Sequence, residues 1–367
     1  MTRQPALPPR REPPAAPRIR LRFYLLATYV LFIVYVSLTP FSGWQDLGLS
    51  WQDVLTAPLL QTYTWFDALI NVLAYLPFGL LLGLILRSHL GAGWSVVLAV
   101  TGGAMLSGGM ELAQLYLPMR TGSNLDLLTN VGGTLGGALL AVSIAPRIWF
   151  AQHLFRLRRR LFGSGNDFGL TLVALWVFAQ INPSLPMLGN VFISEVARKP
   201  FLPPPPDIFS WQESLAVTLN LLMLGSLLLM LLRERRHAVI GLVLLLCAVS
   251  LTKFIAAAAL LKSWALFLWL NSEAMLGIAA GLSLLAAALL LSPRGVRSLA
   301  WLSCAAYLVL THFVLDESAP SSALPLYQWR YLHLLNYNGL TQTVALVFPF
   351  LLLSYLWHRR DGRGIAV

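Results

Sequence analysis

Asp67, Asn71, Glu111, Gln114, Arg120, Asp126 and Asn130 are the residues of this 367-residue chain whose types and spacing could do chemistry. Asp67 and Asn71 lie four residues apart, as do Asp126 and Asn130, and Glu111 and Gln114 lie three apart, so each pair would share one face of a helix. The carboxylates can accept hydroxyls or move protons, the amides both donate and accept, and Arg120 can meet a phosphate or carboxylate. All seven stand in or beside strongly apolar stretches, where an ionisable group is costly enough to count as a functional hypothesis in itself. The opposing reading is that these groups only knit helices together. Interhelical polar contacts are worth about 0.6 kcal/mol on average, a weak reason for so many of them. His312 and Asp316, one turn apart, could form an acid–base pair or half a metal site, but a capped helix end facing the membrane interface accounts for them more simply. Cys247 and Cys304 both lie in apolar runs, and no phosphate loop, H-E-x-x-H or nucleophile elbow occurs, so neither a metal nor a cofactor is expected.

The elements that must position these groups are membrane spans. Hydrophobic residues make up 57% of the chain and charged residues 11%, with a mean hydropathy of +0.70. A soluble protein carries about 25% charged residues. The sequence predicts an all-α, polytopic transmembrane bundle of about ten spans, at Leu21–Thr39, Ala68–Leu86, Gly93–Leu117, Leu127–Ile148, Phe168–Asn182, Glu213–Leu232, Ala238–Leu261, Trp264–Leu291, Val296–Leu315 and Thr341–Trp357. With both termini placed in the cytoplasm, 20 basic residues fall in inner segments and 5 in outer ones, and Lys253 falls within a span. The net charge of +11 is therefore a topology signal in an inner (cytoplasmic) membrane and does not suggest a nucleic-acid partner. Residues 1–22 read as a disordered basic tail. Ser184–Gln212, with its four-proline run, and the aromatic Asp316–Leu340 read as long outer segments, the second lying at the membrane interface.

Within this frame the polar residues would gather at the outer ends of the second, third and fourth spans. Gly103, Ser107, Glu111 and Gln114 fall on one face of the third span, and Asp126, Asn130, Gly133 and Gly137 on one face of the fourth. Each helix thus offers small residues for close approach and then polar ones nearer the surface. Pro77 is expected to kink the second span, with Gly79 and Gly83 following.

The stretch from Asp67 through Asn71 and Pro77 to Gly79 resembles the first signature of VanZ-like membrane proteins. Glu111, Gln114, Arg120, Asp126, Asn130, Gly132 and Gly136 resemble the second, and the likeness covers roughly residues 28–143. It implies a place in the bacterial envelope and an association with low-level resistance to the glycopeptide teicoplanin. It also implies that Asp67, Asn71, Glu111, Gln114, Arg120, Asp126 and Asn130 line a ligand site, without naming a reaction.

The second half echoes the first at offsets of 143 to 146 residues: Asp67, Gly79 and Arg87 recur as Glu213, Gly225 and Arg233. A parallel internal repeat of a four-span unit would arrange the chain as a VanZ-like unit over 23–150, a degenerate copy over 151–295 and two further spans over 296–367. That copy lacks the acid constellation, and Lys253 is expected to pair with Glu273 across adjacent helices. Three functions fit this pattern. The first is an envelope protein that binds a lipid, glycan or glycopeptide-type ligand at the outer-face cluster. The second is an intramembrane enzyme acting on an envelope lipid through Glu111 and Asp126, and the third is a transporter. Its partners would be the bilayer and that envelope ligand.

Overall fold

The computed structural model describes residues 19–56, 65–118, 120, 122–144, 156–158, 160–162, 165–191, 209–315, 320–328 and 332–360. The N-terminal tail, the four-proline run and Asp316 lie outside the described residues. In chain order the α-helices are α1 (Ile19–Leu38), α2 (Trp51–Thr56), α3 (Trp65–Leu86), α4 (Ala92–Gln114) and α5 (Asn124–Ile144), followed by α6 (Asp167–Ala179), α7 (Trp211–Leu231), α8 (Ala238–Leu260), α9 (Ser272–Ala288), α10 (Pro293–Phe313) and α11 (Leu332–Arg360). No strand occurs among the described residues.

Eight of these helices are long and apolar enough to cross a membrane. Each of the ten predicted spans contains a helix, but α6 and α9 are shorter than predicted. At 13 and 17 residues they extend about 20 and 25 Å at 1.5 Å per residue, against a hydrocarbon core of about 30 Å. The reason for the short α9 is local. Asn271 turns its side chain to accept from the Ala274 N–H at 2.9 Å and so starts the helix there, while the preceding Ser263–Ala265 forms a 3-10 turn.

α6 stops at Ala179, and the chain continues as irregular backbone through residue 190, nearly all of it buried. Irregular backbone at membrane depth survives only when the protein satisfies its polar groups. Gln180 Oε1 accepts from the Leu188 N–H and Asn220 donates to the Leu188 carbonyl, at 2.9 and 2.8 Å. The Met187 N–H reaches the Trp269 carbonyl at 2.7 Å. Lys253 completes the set and is fully buried. Its Nζ donates to the carbonyls of Asn182 and Leu185 at 2.7 and 3.0 Å.

The expected Lys253–Glu273 ion pair is therefore not formed. The ammonium goes to the main-chain carbonyls of Asn182 and Leu185, and Glu273 finds its partners at Ser210 and Ser272. Within the segment 316–340, Tyr327 also differs from the expected place at the membrane interface, while Trp329 and Tyr331 lie outside the described residues. Tyr327 is buried, and its hydroxyl donates to Asn338 Oδ1 at 2.8 Å beside Asn182.

In the first half α3 and α5 run parallel in close contact, with α4 antiparallel beside them. Contact at this range needs glycine. A Cβ on Gly133 would stand 2.3 Å from the Val72 carbonyl oxygen, and one on Gly137 would stand 2.1 Å from that of Leu76. Gly132 and Gly136, one position earlier, face open space. Pro77 lies inside α3 without ending it. In the second half α7 is the most enclosed helix, packed among α6, α9 and α10, and it lies parallel to α9.

Candidate functional site

The seven residues separate into two groups. The first is a cluster between α3, α4 and the start of α5. Asn71 Nδ2 donates to Asp126 Oδ1 at 2.6 Å, joining α3 to α5. Glu111 is buried and its Oε2 accepts from the Ser123 N–H at 2.8 Å, where α5 begins. Ser123 in turn accepts from the Asp126 N–H at 3.3 Å, as a helix-capping serine does. One turn deeper, Asn130 Nδ2 donates to Ser107 Oγ at 2.9 Å. Asp67, partly buried in the first turn of α3, stands one turn before Asn71.

Two buried atoms of this cluster have no hydrogen-bond partner among the described residues: Asn130 Oδ1 and the Tyr75 hydroxyl. Tyr75 lies one turn after Asn71 and so extends the Asp67–Asn71 face of α3. It was legible as the next position at that spacing, but its aromatic character groups it with the apolar core. Ser107 belongs to the cluster as the hydroxyl that Asn130 reaches.

Gln114 and Arg120 form the second group and turn away from the carboxylates. Gln114 Nε2 donates to the Ser37 carbonyl at 3.0 Å. Arg120 Nη2 donates to the carbonyls of Val36 and Thr39 at 3.0 and 3.1 Å. With its amide oxygen turned to the guanidinium, Asn336 of α11 also accepts from Arg120. These groups cap the C-terminal end of α1, where free carbonyls and the helix dipole favour a cation. Burial lowers the Arg120 pKa from its ordinary value. Arg120 therefore binds α1 to the loop before α5 and to α11, and its guanidinium is committed to the Val36 and Thr39 carbonyls and the Asn336 amide. His312 Nδ1 lies 3.1 Å from the Leu308 carbonyl within its own helix. Among the described residues no cluster of three or more metal-ligating side chains occurs.

A helical bundle with eight apolar helices of spanning length, polar groups gathered at one end of three of them, defines a multi-pass membrane protein of α-helical class. Residues 20–149 match the model of the VanZ/LLP1 family, so the N-terminal unit, α1 to α5, is of VanZ type. The matched segment holds all seven predicted site residues, while residues 150–367 lie outside it. No curated protein matches the chain, and no solved structure matches it.

Proposed function

We propose that the Tyr75–Ser107–Glu111–Asn130 cluster of the VanZ-type unit binds the polar group of an envelope lipid, glycan or glycopeptide-type ligand, in the inner membrane of a bacterial envelope. The observation that carries the reading is the pair of unpartnered buried atoms, Asn130 Oδ1 and Tyr75 OH, beside a buried carboxylate. A buried polar atom left unpaired costs about 1–3 kcal/mol, and a ligand that pairs it recovers that amount. Asn130 Oδ1 asks for a donor and Tyr75 can donate or accept, so a hydroxyl-bearing group suits both. Asp67, Asn71 and Asp126 shape the rim of this site. Gln114 and Arg120 hold α1 against it and do not contact the ligand.

The second half is proposed to be a degenerate parallel copy that buttresses this unit. Helices α4 and α8 have 23 residues each and correspond at an offset of 146. At that offset the buried Gly103, Ser107 and Glu111 fall on the buried Val249, Lys253 and Ala257. The carbonyls of Leu84 and Met230, also 146 apart, each accept from an arginine of another helix, Arg22 and Arg359.

The test is a teicoplanin dose response in a sensitive host that expresses equal membrane levels of wild type and Glu111→Gln. Protection by the wild type and loss of protection in the variant are expected. Equal protection by both would remove Glu111 from the site. Protection by neither would exclude the glycopeptide and leave lipid and glycan.

A further inference from the structure

The second half carries two buried acids that the reading above leaves unused. Glu213 is 3% exposed and Glu273 is 5% exposed, and they occupy the first turns of the parallel helices α7 and α9. Ser210 links them. Its hydroxyl accepts from the Glu213 N–H at 3.1 Å, and its own N–H donates to Glu273 Oε1 at 3.4 Å.

Ser-x-x-Glu at a helix start ordinarily closes a capping box, with the glutamate bonding back to the serine N–H. Here that N–H goes to Glu273, and Glu213 is turned elsewhere. Its Oε1 accepts from the N–H groups of Asn190 and Val191 at 2.7 and 3.4 Å. Its other oxygen, Oε2, is buried and has no hydrogen-bond partner among the described residues.

No protonation state of Glu213 by itself satisfies Oε2. As a carboxylate oxygen it needs a donor or a cation, and as an acid its O–H needs an acceptor. Two N–H groups point at Oε1, and among the described residues none reaches Oε2. Glu273 is held in the same way by the Ser210 N–H and by the Ser272 hydroxyl at 3.0 Å. Two carboxylates so placed repel each other, and among the described residues no cationic side chain reaches either. Lys253, the buried lysine of this half, is spent on main-chain carbonyls, and the ion pairs Arg158–Asp167 and Arg236–Glu234 involve neither glutamate.

We propose that Glu213 and Glu273 form a site for one hard divalent cation, with Glu213 Oε2 as its anchoring ligand. Carboxylate oxygens select Ca²⁺ or Mg²⁺ over soft transition metals, and one divalent charge balances the pair. Asn190 ties the site to α10, since its Oδ1 accepts from the buried Tyr307 hydroxyl at 3.2 Å. The second half would thus hold a ligand site of its own, independent of the one between α3, α4 and α5.

The experiment uses the full chain in detergent, stripped with a chelator and titrated with CaCl₂ or MgCl₂ at constant ionic strength. One ion is expected to raise the unfolding midpoint saturably, by about 3 °C at a hundredfold excess over Kd. Calorimetry should give one ion per chain. Glu213→Gln should abolish the rise, and Glu273→Gln serves the same purpose if the first variant does not fold. Glu234→Gln, at an exposed acid, should keep it. No rise with either ion overturns the proposal, including the case where acidification alone stabilises the protein. Retention of the full rise in both glutamine variants overturns it as well.

Discussion

Substituting alanine for Gly137 should separate α3 from α5, and the structure sets the size of the effect. The new Cβ would lie 2.1 Å from the Leu76 carbonyl oxygen and 2.6 Å from the Leu80 nitrogen. Both are backbone atoms, so no side chain can rotate away. Ordinary contact begins at 3.4 Å, so the helices must part by roughly 1.3 Å. Overpacking of this kind costs about 1–3 kcal/mol or more, and the gain in helix propensity of alanine over glycine, about 1 kcal/mol, offsets only part of it. The Asn71–Asp126 bond crosses the same interface at 2.6 Å and would lengthen with the separation. Gly136→Ala is the control: nothing lies within 4 Å of its Cβ, so it should leave stability unchanged or raise it by up to about 1 kcal/mol. Thermal or denaturant unfolding of the two variants in the same detergent compares them directly. If Gly136→Ala destabilises and Gly137→Ala does not, the assigned α3–α5 register is wrong.

Arg120→Ala should lose about 2–3 kcal/mol, since a cationic donor leaves the carbonyls at the end of α1, and Arg120→Lys should recover less than half; both are read as unfolding midpoints. Lys253→Ala should cost about 1–3 kcal/mol for each carbonyl it abandons. Adding Glu273→Ala should not restore the loss, and rescue in the double variant would show that the two residues pair after all. Burial pushes Tyr327 up to about 12 from its ordinary value of 10.0. The unfolded chain then releases this proton first, so the tyrosine's contribution to stability is complete below about pH 10 and falls as pH rises toward 12. Tyr327→Phe should flatten that part of the stability profile.

Much of the fold was legible because apolar blocks of spanning length can only be membrane helices, and all ten predicted spans hold one. Boundaries failed where side chains override hydropathy. Trp264–Leu270 is apolar enough to be counted as span, but the Asn271 cap starts α9 at Ser272. The α3–α5 face was readable from the spacing of Asn71, Asp126, Asn130, Gly133 and Gly137. Gly132 and Gly136, prominent in the family pattern, face open space, since hydropathy does not distinguish adjacent glycines. Lys253 was expected to pair with Glu273 and instead serves main-chain carbonyls along a broken helix. Arg120, expected to face a ligand beside the carboxylates, meets the carbonyls at the end of α1. Where backbone leaves regular structure inside a membrane protein cannot be read from charge pairing alone.

The central claim is that the cluster around Asn130 and Glu111 holds a polar ligand, and native mass spectrometry of the protein purified in mild detergent tests it most directly. The wild type should retain a bound envelope lipid or glycan, and Glu111→Gln and Asn130→Leu should each release it while remaining folded. Equal retention of the same adduct by all three proteins would contradict the claim, and so would a wild type that carries none.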